Sequence, residues 1–271
     1  MSARNSQTNK AAARERLREE RERRAKKDRV RRQLVVAGSA VAVLAVAGGV
    51  GYAVVQANKP SQWEAAAGAT TVTAPKNTSG TNGTTVVVGE ASAKKTLELY
   101  EDSRCPVCAT FEQSVGSTIE KDVEAGKYKI RYVGATFIDN AVPGEGSKNA
   151  LSALGAALDV SPEAFLTYKS ALYSAKFHPE EKDDKFAKDS YLLEVAESVP
   201  ALKGNAAFRK NVEEGTFDAW AMKMSRAFDD SGVQGTPTLK MDGKPVTVQG
   251  TDNPPMSPEE FDTAITAALR G

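Results

Sequence analysis

The sequence predicts an α/β domain with an inserted block of helices, preceded by a single N-terminal transmembrane helix. Three observations lead to this fold class. Residues 34–55 form an apolar run without a charged residue. Short β-favouring runs alternate with helical patterns after residue 84, and residues from about 146 to about 230 keep a helical pattern too long for one crossover helix.

The amino-terminal part of the chain has the properties of a membrane anchor. Residues 1–32 hold 13 Lys or Arg against 5 Asp or Glu and carry +8, whereas the remainder of the chain carries −7. The run 34–55 exceeds the roughly 20 apolar residues that cross a bilayer as a helix. Because the basic residues flank its amino side, the positive-inside rule predicts a cytoplasmic segment 1–33 and an extracytoplasmic remainder.

Two alternatives concern this anchor. A cleaved signal peptide is the first, since Val55, Gln56 and Ala57 loosely resemble a cleavage site, but the long basic leader favours an uncleaved anchor. A nucleic-acid-binding arm is the second, yet acids and bases are interleaved at helical spacing beside the membrane segment. This pattern favours a juxtamembrane helix that contacts anionic lipid, so no nucleic-acid partner is predicted.

Residues 56–84 are predicted to form a flexible extracytoplasmic linker. They are rich in Thr, Ser, Gly, Asn and Ala, with almost no large apolar residue after Trp63. Such a composition buries too little surface to fold by itself. A flexible coil of this length would reach on the order of 30 Å from the membrane.

The folded domain is predicted over residues 85–271. Residues 85–88 and 96–100 favour strands, a helical pattern runs from Pro106 to about residue 125, and residues 128–137 favour the next strand. Strand, helix and strand in this order predict a βαβ unit.

The helical block after this unit predicts four or five helices. Ser161, Pro162 and Glu163 combine a capping residue, a first-turn proline and an acid in the order that a helix start prefers. Another helix carries an apolar stripe at intervals of three and four, which predicts core packing and not a cofactor site. The stripe consists of Phe217, Trp220, Met224 and Phe228.

The strand pattern returns at the carboxyl end of the chain. Residues 237–241 and 244–249 predict the two arms of a hairpin around an Asp-Gly turn signal. Ser257, followed by a first-turn proline and two acids, predicts the start of a closing helix.

The chain has two cysteines, Cys105 and Cys108, which lie between a predicted strand and a predicted helix. A structural zinc site requires about four ligands, but His178 is the single histidine and there is no second cysteine pair. A structural disulfide with so short a loop restricts the unfolded chain very little. A redox-active pair fits best, because the helix dipole and the free N–H groups of the first turn stabilise a thiolate.

The order of the two cysteines predicts their roles. Cys105, at the helix terminus, is predicted to be the attacking thiol, and Cys108, one turn further, to resolve the mixed disulfide. Arg104 either lowers the pKa of Cys105 or is a solvent-facing loop residue. Pro106 fits the first helical turn, where its missing N–H costs little.

Residues 97–108, Leu-Glu-Leu-Tyr-Glu-Asp-Ser-Arg-Cys-Pro-Val-Cys, resemble the active-site segment of bacterial DsbA-like thioredoxin-fold proteins, and residues 232–238 resemble their Thr-Pro loop. The resemblance covers about residues 87–269 and implies a thioredoxin-like fold with an inserted helical domain. It implies that the peptide bond before Pro237 is cis and faces the cysteine pair. The backbone at Thr236 would then receive substrate.

Three more site residues follow from this resemblance. Glu98 is expected beneath the disulfide, where burial would raise its pKa and let it relay a proton to Cys108; an edge-facing glutamate is the alternative. Pro106 and Val107 are expected at the substrate-binding surface. The family's strongly oxidising members are similar in having a histidine between the two cysteines, which donates a hydrogen bond to the thiolate. Val107 lies between the cysteines here and cannot donate one.

The predicted function is a membrane-anchored thiol-disulfide oxidoreductase that uses the Cys105–Cys108 disulfide, with no cofactor and no metal. Its expected partners are exported protein thiols, which it oxidises, and a membrane or extracytoplasmic redox partner. A reductase or isomerase is one alternative, since Val107 leaves the direction of electron flow open. A non-catalytic thioredoxin-like binding module is the other.

Overall fold

A computed structural model describes residues 60–271 and, before them, residues 15–16, 18–24, 26–29 and 31–33. The described residues before position 34 are helical and exposed, and ion pairs at i,i+4 spacing join Arg18 to Glu22 and Glu20 to Arg24. The predicted membrane span, 34–55, lies outside the described residues. None of the helices described is both long and apolar enough to cross a membrane.

The folded unit, Ser61–Gly271, is built on a five-stranded sheet. Its strands are β1 (Val86–Val88), β2 (Thr96–Asp102), β3 (Lys129–Ala135), β4 (Thr238–Met241) and β5 (Lys244–Pro245). The spatial order is β1-β3-β2-β4-β5, with β2 parallel to β3 and every other pair antiparallel. Since β2 is hydrogen-bonded on both sides, the position of its carboxyl end is well fixed.

Nine α-helices accompany the sheet in this unit. They are α1 (Gln62–Gly68), α2 (Pro106–Glu124), α3 (Ile138–Ala141), α4 (Gly146–Val160), α5 (Pro162–Tyr173), α6 (Asp189–Ala196), α7 (Ala206–Glu213), α8 (Asp218–Asp230) and α9 (Pro258–Arg270). Six of them, α3 to α8, lie between β3 and β4, and five of these, α4 to α8, fall within residues 146–230. This confirms the helical insertion between the early and late strands and the number of its helices.

The predicted helix starts and the predicted apolar stripe are present. The Ser161 and Ser257 side chains accept hydrogen bonds from backbone N–H groups three residues on, at the starts of α5 and α9. The stripe of α8 is at most 4% exposed along its length and contacts the sheet and α4. It is therefore part of the core, as the spacing predicts.

The prediction of a flexible linker over residues 56–84 is wrong for residues 60–84. Trp63 is only 6% exposed, the Gln62 amide donates a hydrogen bond to Asp218, and the Asn77 amide donates one to a carbonyl at the end of α4. The segment builds no core of its own. It is ordered because it packs on helices of the folded domain, which a composition argument does not detect.

The closing hairpin is shorter than predicted. Asp242 and Gly243 form its turn with positive φ angles of 49° and 82°. The second arm ends at Pro245, whereas residues 244–249 were expected to form a strand. Beyond Pro245 one more backbone hydrogen bond, from the Val246 amide to the Leu239 carbonyl, continues towards β4, and the remaining residues to 249 do not form a strand.

Candidate active site

The cysteine pair lies at the carboxyl end of β2, where α2 begins. Cys105 is the residue before the first helical turn, and Pro106 occupies the first position of α2. Both cysteines are free thiols and are buried, with Cys105 5% and Cys108 1% exposed. Pro106 and Val107 are exposed, Val107 at 49%. These two residues therefore form the outer surface next to the sulfur of Cys105.

The two thiols differ strongly in acidity. A hydrogen bond from the Cys108 thiol, aided by the Thr236 hydroxyl and by backbone N–H groups of the first helical turn, outweighs burial and lowers the pKa of Cys105 to about 6. Burial, with the neighbouring charge of Cys105, raises the pKa of Cys108 well above its usual value. At neutral pH these shifts favour the thiolate at Cys105 and the thiol at Cys108.

The loop before β4 faces the cysteine pair. The Thr236–Pro237 peptide bond is cis, and the Thr236 carbonyl accepts a hydrogen bond from the Cys105 thiol at 3.5 Å. Because Thr238 pairs with Tyr100 of β2, the register of β4 brings this loop to the end of β2. Within the described part of the chain the buried hydroxyl of Thr236 has no other hydrogen-bond partner, so it is available to the Cys105 thiolate.

Glu98 does not lie beneath the cysteine pair, so the prediction that it relays a proton there is wrong. One of its carboxylate oxygens accepts a hydrogen bond from the Tyr100 hydroxyl at 2.8 Å, and the other lies 3.7 Å from Arg131. Strand alternation explains the error, because successive residues of β2 point to opposite faces of the sheet. Glu98 shares its face with Tyr100, whereas Glu101 lies on the opposite one.

The buried acid near the cysteines is Glu101, which is 7% exposed. Burial raises its pKa to about 7, and the charge of Cys105 contributes to that rise. Its carboxylate lies 3.4 Å from the ammonium group of Lys169 on α5, which also lies 2.6 Å from Glu112 on α2. The sequence held a signal for Glu112, since it is four residues after Cys108 on one helix face.

Arg104 is not the solvent-facing residue of the second expectation, because it is only 2% exposed. The guanidinium pairs with Asp139 at 2.8 Å and with Asp184 at 3.3 Å. Two further hydrogen bonds go to the carbonyl groups of Val142 and Glu181. Arg104 therefore ties the active-site loop to α3 and to the loops of the helical insertion.

His178 contacts the active-site loop from the helical insertion. Its Nε2 is 3.1 Å from the carbonyl oxygen of Ser103, and its ring stacks on Tyr173. Burial lowers the pKa of His178. It supports the backbone before the cysteine pair from the side of the helical insertion.

Comparisons with known proteins agree with this geometry. A family model described as Thioredoxin matches residues 81–267. The serine/threonine-protein kinase PknE of Mycobacterium tuberculosis is 27% identical over 158 residues, 56% of this chain and 27% of that protein. Disulfide bond formation protein D of Bacillus subtilis is 24% identical over 159 residues, 58% of this chain and 68% of that protein.

The chain thus spans only about a quarter of the length of PknE but two thirds of that of the Bacillus protein. Among solved structures, reduced DsbA from Mycobacterium tuberculosis superposes with a TM-score of 0.53 at 23% identity, over 69% of this chain and all of that one. This similarity supports the fold, and the family model covers more than half of the sequence. The chain therefore belongs to the thioredoxin family and has the fold of its DsbA-like members.

Proposed function

We propose that this protein is a thiol-disulfide oxidoreductase that oxidises cysteine pairs of exported proteins through a Cys105–Cys108 disulfide. The observation that carries the proposal is the difference between the two thiols. Cys105 has a lowered pKa and faces the Thr236 carbonyl, whereas Cys108 is buried with a raised pKa. A stable leaving thiolate beside a buried resolving thiol is the arrangement that disulfide exchange requires.

The reaction proceeds in two exchanges. A substrate thiolate attacks the sulfur of Cys105, the Cys105–Cys108 bond breaks, and Cys108 leaves and takes up a proton. The second substrate thiolate attacks the substrate sulfur of the mixed disulfide, and Cys105 leaves as a stable thiolate. Two electrons pass from the substrate pair to the enzyme pair, and a membrane or extracytoplasmic redox partner removes them. The chemistry needs no metal and no cofactor beyond the disulfide.

Glu101 supplies the proton in this scheme. The departing Cys108 thiolate is buried and strongly basic, so it requires an internal donor. Glu101 interacts electrostatically with Cys108, and its pKa of about 7 lets it hold a proton at neutral pH. It takes the role that the sequence assigned to Glu98.

Substrate binds at the surface around the sulfur of Cys105. The exposed Pro106 and Val107 offer apolar contact, and the backbone of Thr236, next to Pro237, offers hydrogen bonds to an extended peptide. We further propose that residues 34–55 anchor the protein in the cell membrane with residues 1–33 in the cytoplasm. The domain that follows would then meet its substrates as they emerge outside.

Oxidative refolding of a reduced, unfolded disulfide protein tests the activity. The full-length oxidised protein is expected to restore the substrate's disulfides, and Cys105→Ala to abolish this. Cys108→Ala is expected to accumulate a mixed disulfide at Cys105, while Lys203→Ala, an exposed residue away from the site, keeps full activity. Full activity of Cys105→Ala without any trapped complex would favour a non-catalytic binding module instead.

A second assay separates an oxidase from a reductase or isomerase. Insulin reduction and the repair of scrambled disulfides both start from the dithiol form of the enzyme. An oxidase is expected to act faster as the disulfide in refolding than as the dithiol in insulin reduction. The reverse ratio would identify the reductase or isomerase.

A further inference from the structure

One buried cation is shared between two carboxylates below the cysteine pair. Lys169 is 2% exposed, and its ammonium group lies over the rings of Tyr132 and Tyr173 at 5.2 and 5.4 Å from their centroids. The ammonium nitrogen is 2.6 Å from the nearer oxygen of Glu112 but 3.4 and 3.5 Å from the two oxygens of Glu101. The ion pair of Lys169 with Glu112 is therefore closer than its ion pair with Glu101.

The position of the Glu112 carboxylate on α2 is fixed by two hydrogen bonds and by the space beside Gly116. One oxygen accepts the Lys169 hydrogen bond, and the other accepts a hydrogen bond from the Ser170 hydroxyl at 2.6 Å. A Cβ atom at Gly116 would lie 2.9 Å from the carboxyl carbon and 3.1 Å from both oxygens. Glycine in mid-helix is destabilising relative to alanine, and here it leaves the room that the carboxylate occupies.

The charge balance of the cluster decides which acid holds a proton. With Lys169 charged and both glutamates ionised, the buried cluster would have a net charge of −1, which is costly without water. Both oxygens of Glu112 have short hydrogen bonds, so a proton goes to Glu101. Burial first and the charge of Glu112 next outweigh Lys169 in raising the pKa of Glu101 to about 7.

The groups that face Glu101 come from three elements. Lys169 and Tyr173 belong to α5, Glu112 and Cys108 to α2, and Tyr132 to β3, while Cys105 stands at the start of α2. Lys169 is the only cation in this list. Lys169 is therefore the one member of this set whose position can favour the ionised form of Glu101.

We propose that Glu112 is a positioning residue that draws Lys169 away from Glu101 and so keeps Glu101 protonated and ready to supply Cys108. This inference rests on the proposed proton-donor role of Glu101. Without Glu112, Lys169 moves onto Glu101, which then stays ionised and supplies no proton. Gly116 and Ser170 take part because they hold the Glu112 carboxylate in place.

The experiment reads the titration of Glu101 directly in the full-length reduced protein in detergent micelles, from the carboxyl-carbon NMR signal of labelled glutamate. Glu101→Gln assigns the signal by removing it. In Glu112→Gln the titration midpoint of Glu101 is expected to fall by at least one pH unit. Glu124→Gln, an exposed acid on the same helix, serves as the matched control and is expected to leave the midpoint unchanged.

Gly116→Ala and Ser170→Ala test the same idea without changing any charge. Each is expected to lower the midpoint in the same direction as Glu112→Gln, because each weakens the hold on the Glu112 carboxylate. An unchanged Glu101 midpoint in Glu112→Gln and Gly116→Ala, or a wild-type Glu101 already ionised at pH 5, would overturn the inference.

The outcomes for Glu112 and for the proposed function are separable. The carboxyl titration needs no turnover, whereas the Cys105→Ala refolding assay reports on thiol exchange alone. Exchange activity that depends on Cys105, with a Glu101 midpoint insensitive to Glu112, would remove the inference and leave the function standing. An active Cys105→Ala variant would refute the proposed function, whatever the result of the titration.

Discussion

The acidity of Cys105 sets how strongly its disulfide oxidises other thiols. A reactive-cysteine pKa of about 7 accompanies a potential of about −270 mV in thioredoxin, and one of about 3.5 accompanies about −120 mV in DsbA. The pKa of Cys105, lowered to about 6, lies between these values. We therefore expect a potential between the two, measured by equilibrating the protein with glutathione redox buffers.

Val107 provides the matched test of this relation. A histidine at this exposed position adds a hydrogen-bond donor near the thiolate, so Val107→His is expected to lower the thiol pKa further and make the potential more positive. Val107→Ala serves as the control for the loss of the valine side chain and should leave the potential nearly unchanged. A wild-type reduction potential as negative as that of thioredoxin, or more negative, would contradict the proposal that the protein is an oxidase.

Glu101 makes the stability of the reduced protein depend on pH. Because burial raises its native pKa to about 7, the native state keeps a proton that the unfolded chain releases above about pH 4.5. This contribution therefore lowers the free energy of unfolding as pH rises from about 4.5 to about 7, by on the order of 3 kcal/mol, and is constant above that range. Glu101→Gln is expected to remove it.

Urea denaturation at pH 5 and pH 8 measures this contribution. The difference between wild type and Glu101→Gln isolates Glu101 from Asp102, whose pKa burial raises to about 6, and from the cysteines. We expect Glu101→Gln to gain stability relative to wild type on going from pH 5 to pH 8. Parallel pH profiles of the two proteins would mean that Glu101 is ionised in the native state.

At the scale of elements, the sequence identified the parts better than their contacts. The helix starts at Ser161 and Ser257 and the placement of Cys105 depend on local patterns, and the structure has them. The prediction for Glu98 identifies the right strand but the wrong face, because Leu97 and Leu99, both fully buried, alternate in phase with Glu101 and not with Glu98. Strand parity alone pointed to Glu101.

Contacts between distant segments are the part that local patterns do not encode. Trp63 packs on the domain although its neighbours have a linker composition, because the partner surface is supplied by α8. Lys169 reaches Glu101 and Glu112 from a helix of the insertion, and no spacing in the sequence relates these three residues. The packing of α5 against α2 brings Lys169 to Glu112, and Glu101 reaches the same place from β2.

Arg104 joins the active-site loop to the helical insertion, and its removal should affect stability more than acidity. Arg104→Gln leaves Asp139 buried without its closest cationic partner, and breaking a buried ion pair costs about 3–5 kcal/mol. The hydrogen bonds of the guanidinium go to Asp139 and to the carbonyl groups of Val142 and Glu181, so the thiol pKa of Cys105 should stay near 6 in any folded variant.

Two measurements check this expectation. Urea denaturation gives the loss of stability of Arg104→Gln, and thiolate absorbance at 240 nm against pH gives the acidity of Cys105. Lys182→Gln, whose ion pair with Glu180 is exposed, is the control and should change neither quantity. A thiol pKa raised by a full unit in a stable Arg104→Gln protein would show that the guanidinium acts on the thiolate directly.

At the scale of the whole molecule, the charge distribution and the cysteine content make the proposed topology testable. The chain divides into a basic leader and an acidic remainder, and it has only two cysteines. Replacing both by alanine gives a cysteine-free background in which any new thiol reports its own compartment. Thr251→Cys places a thiol on the exposed surface of the folded domain, and Ser6→Cys places one in the leader.

A membrane-impermeant maleimide then distinguishes the two sides of the membrane. With residues 34–55 across the membrane and the leader inside, intact cells are expected to label Thr251→Cys fully and Ser6→Cys only after lysis. Carbonate extraction should leave both variants in the membrane fraction, because an uncleaved apolar span of this length does not dissociate. Release of the Thr251→Cys protein into the medium would instead mean that the span is cleaved. Labelling of Thr251→Cys only after lysis would place the domain in the cytoplasm, where a reducing thiol pool opposes oxidation of substrates by Cys105 and Cys108.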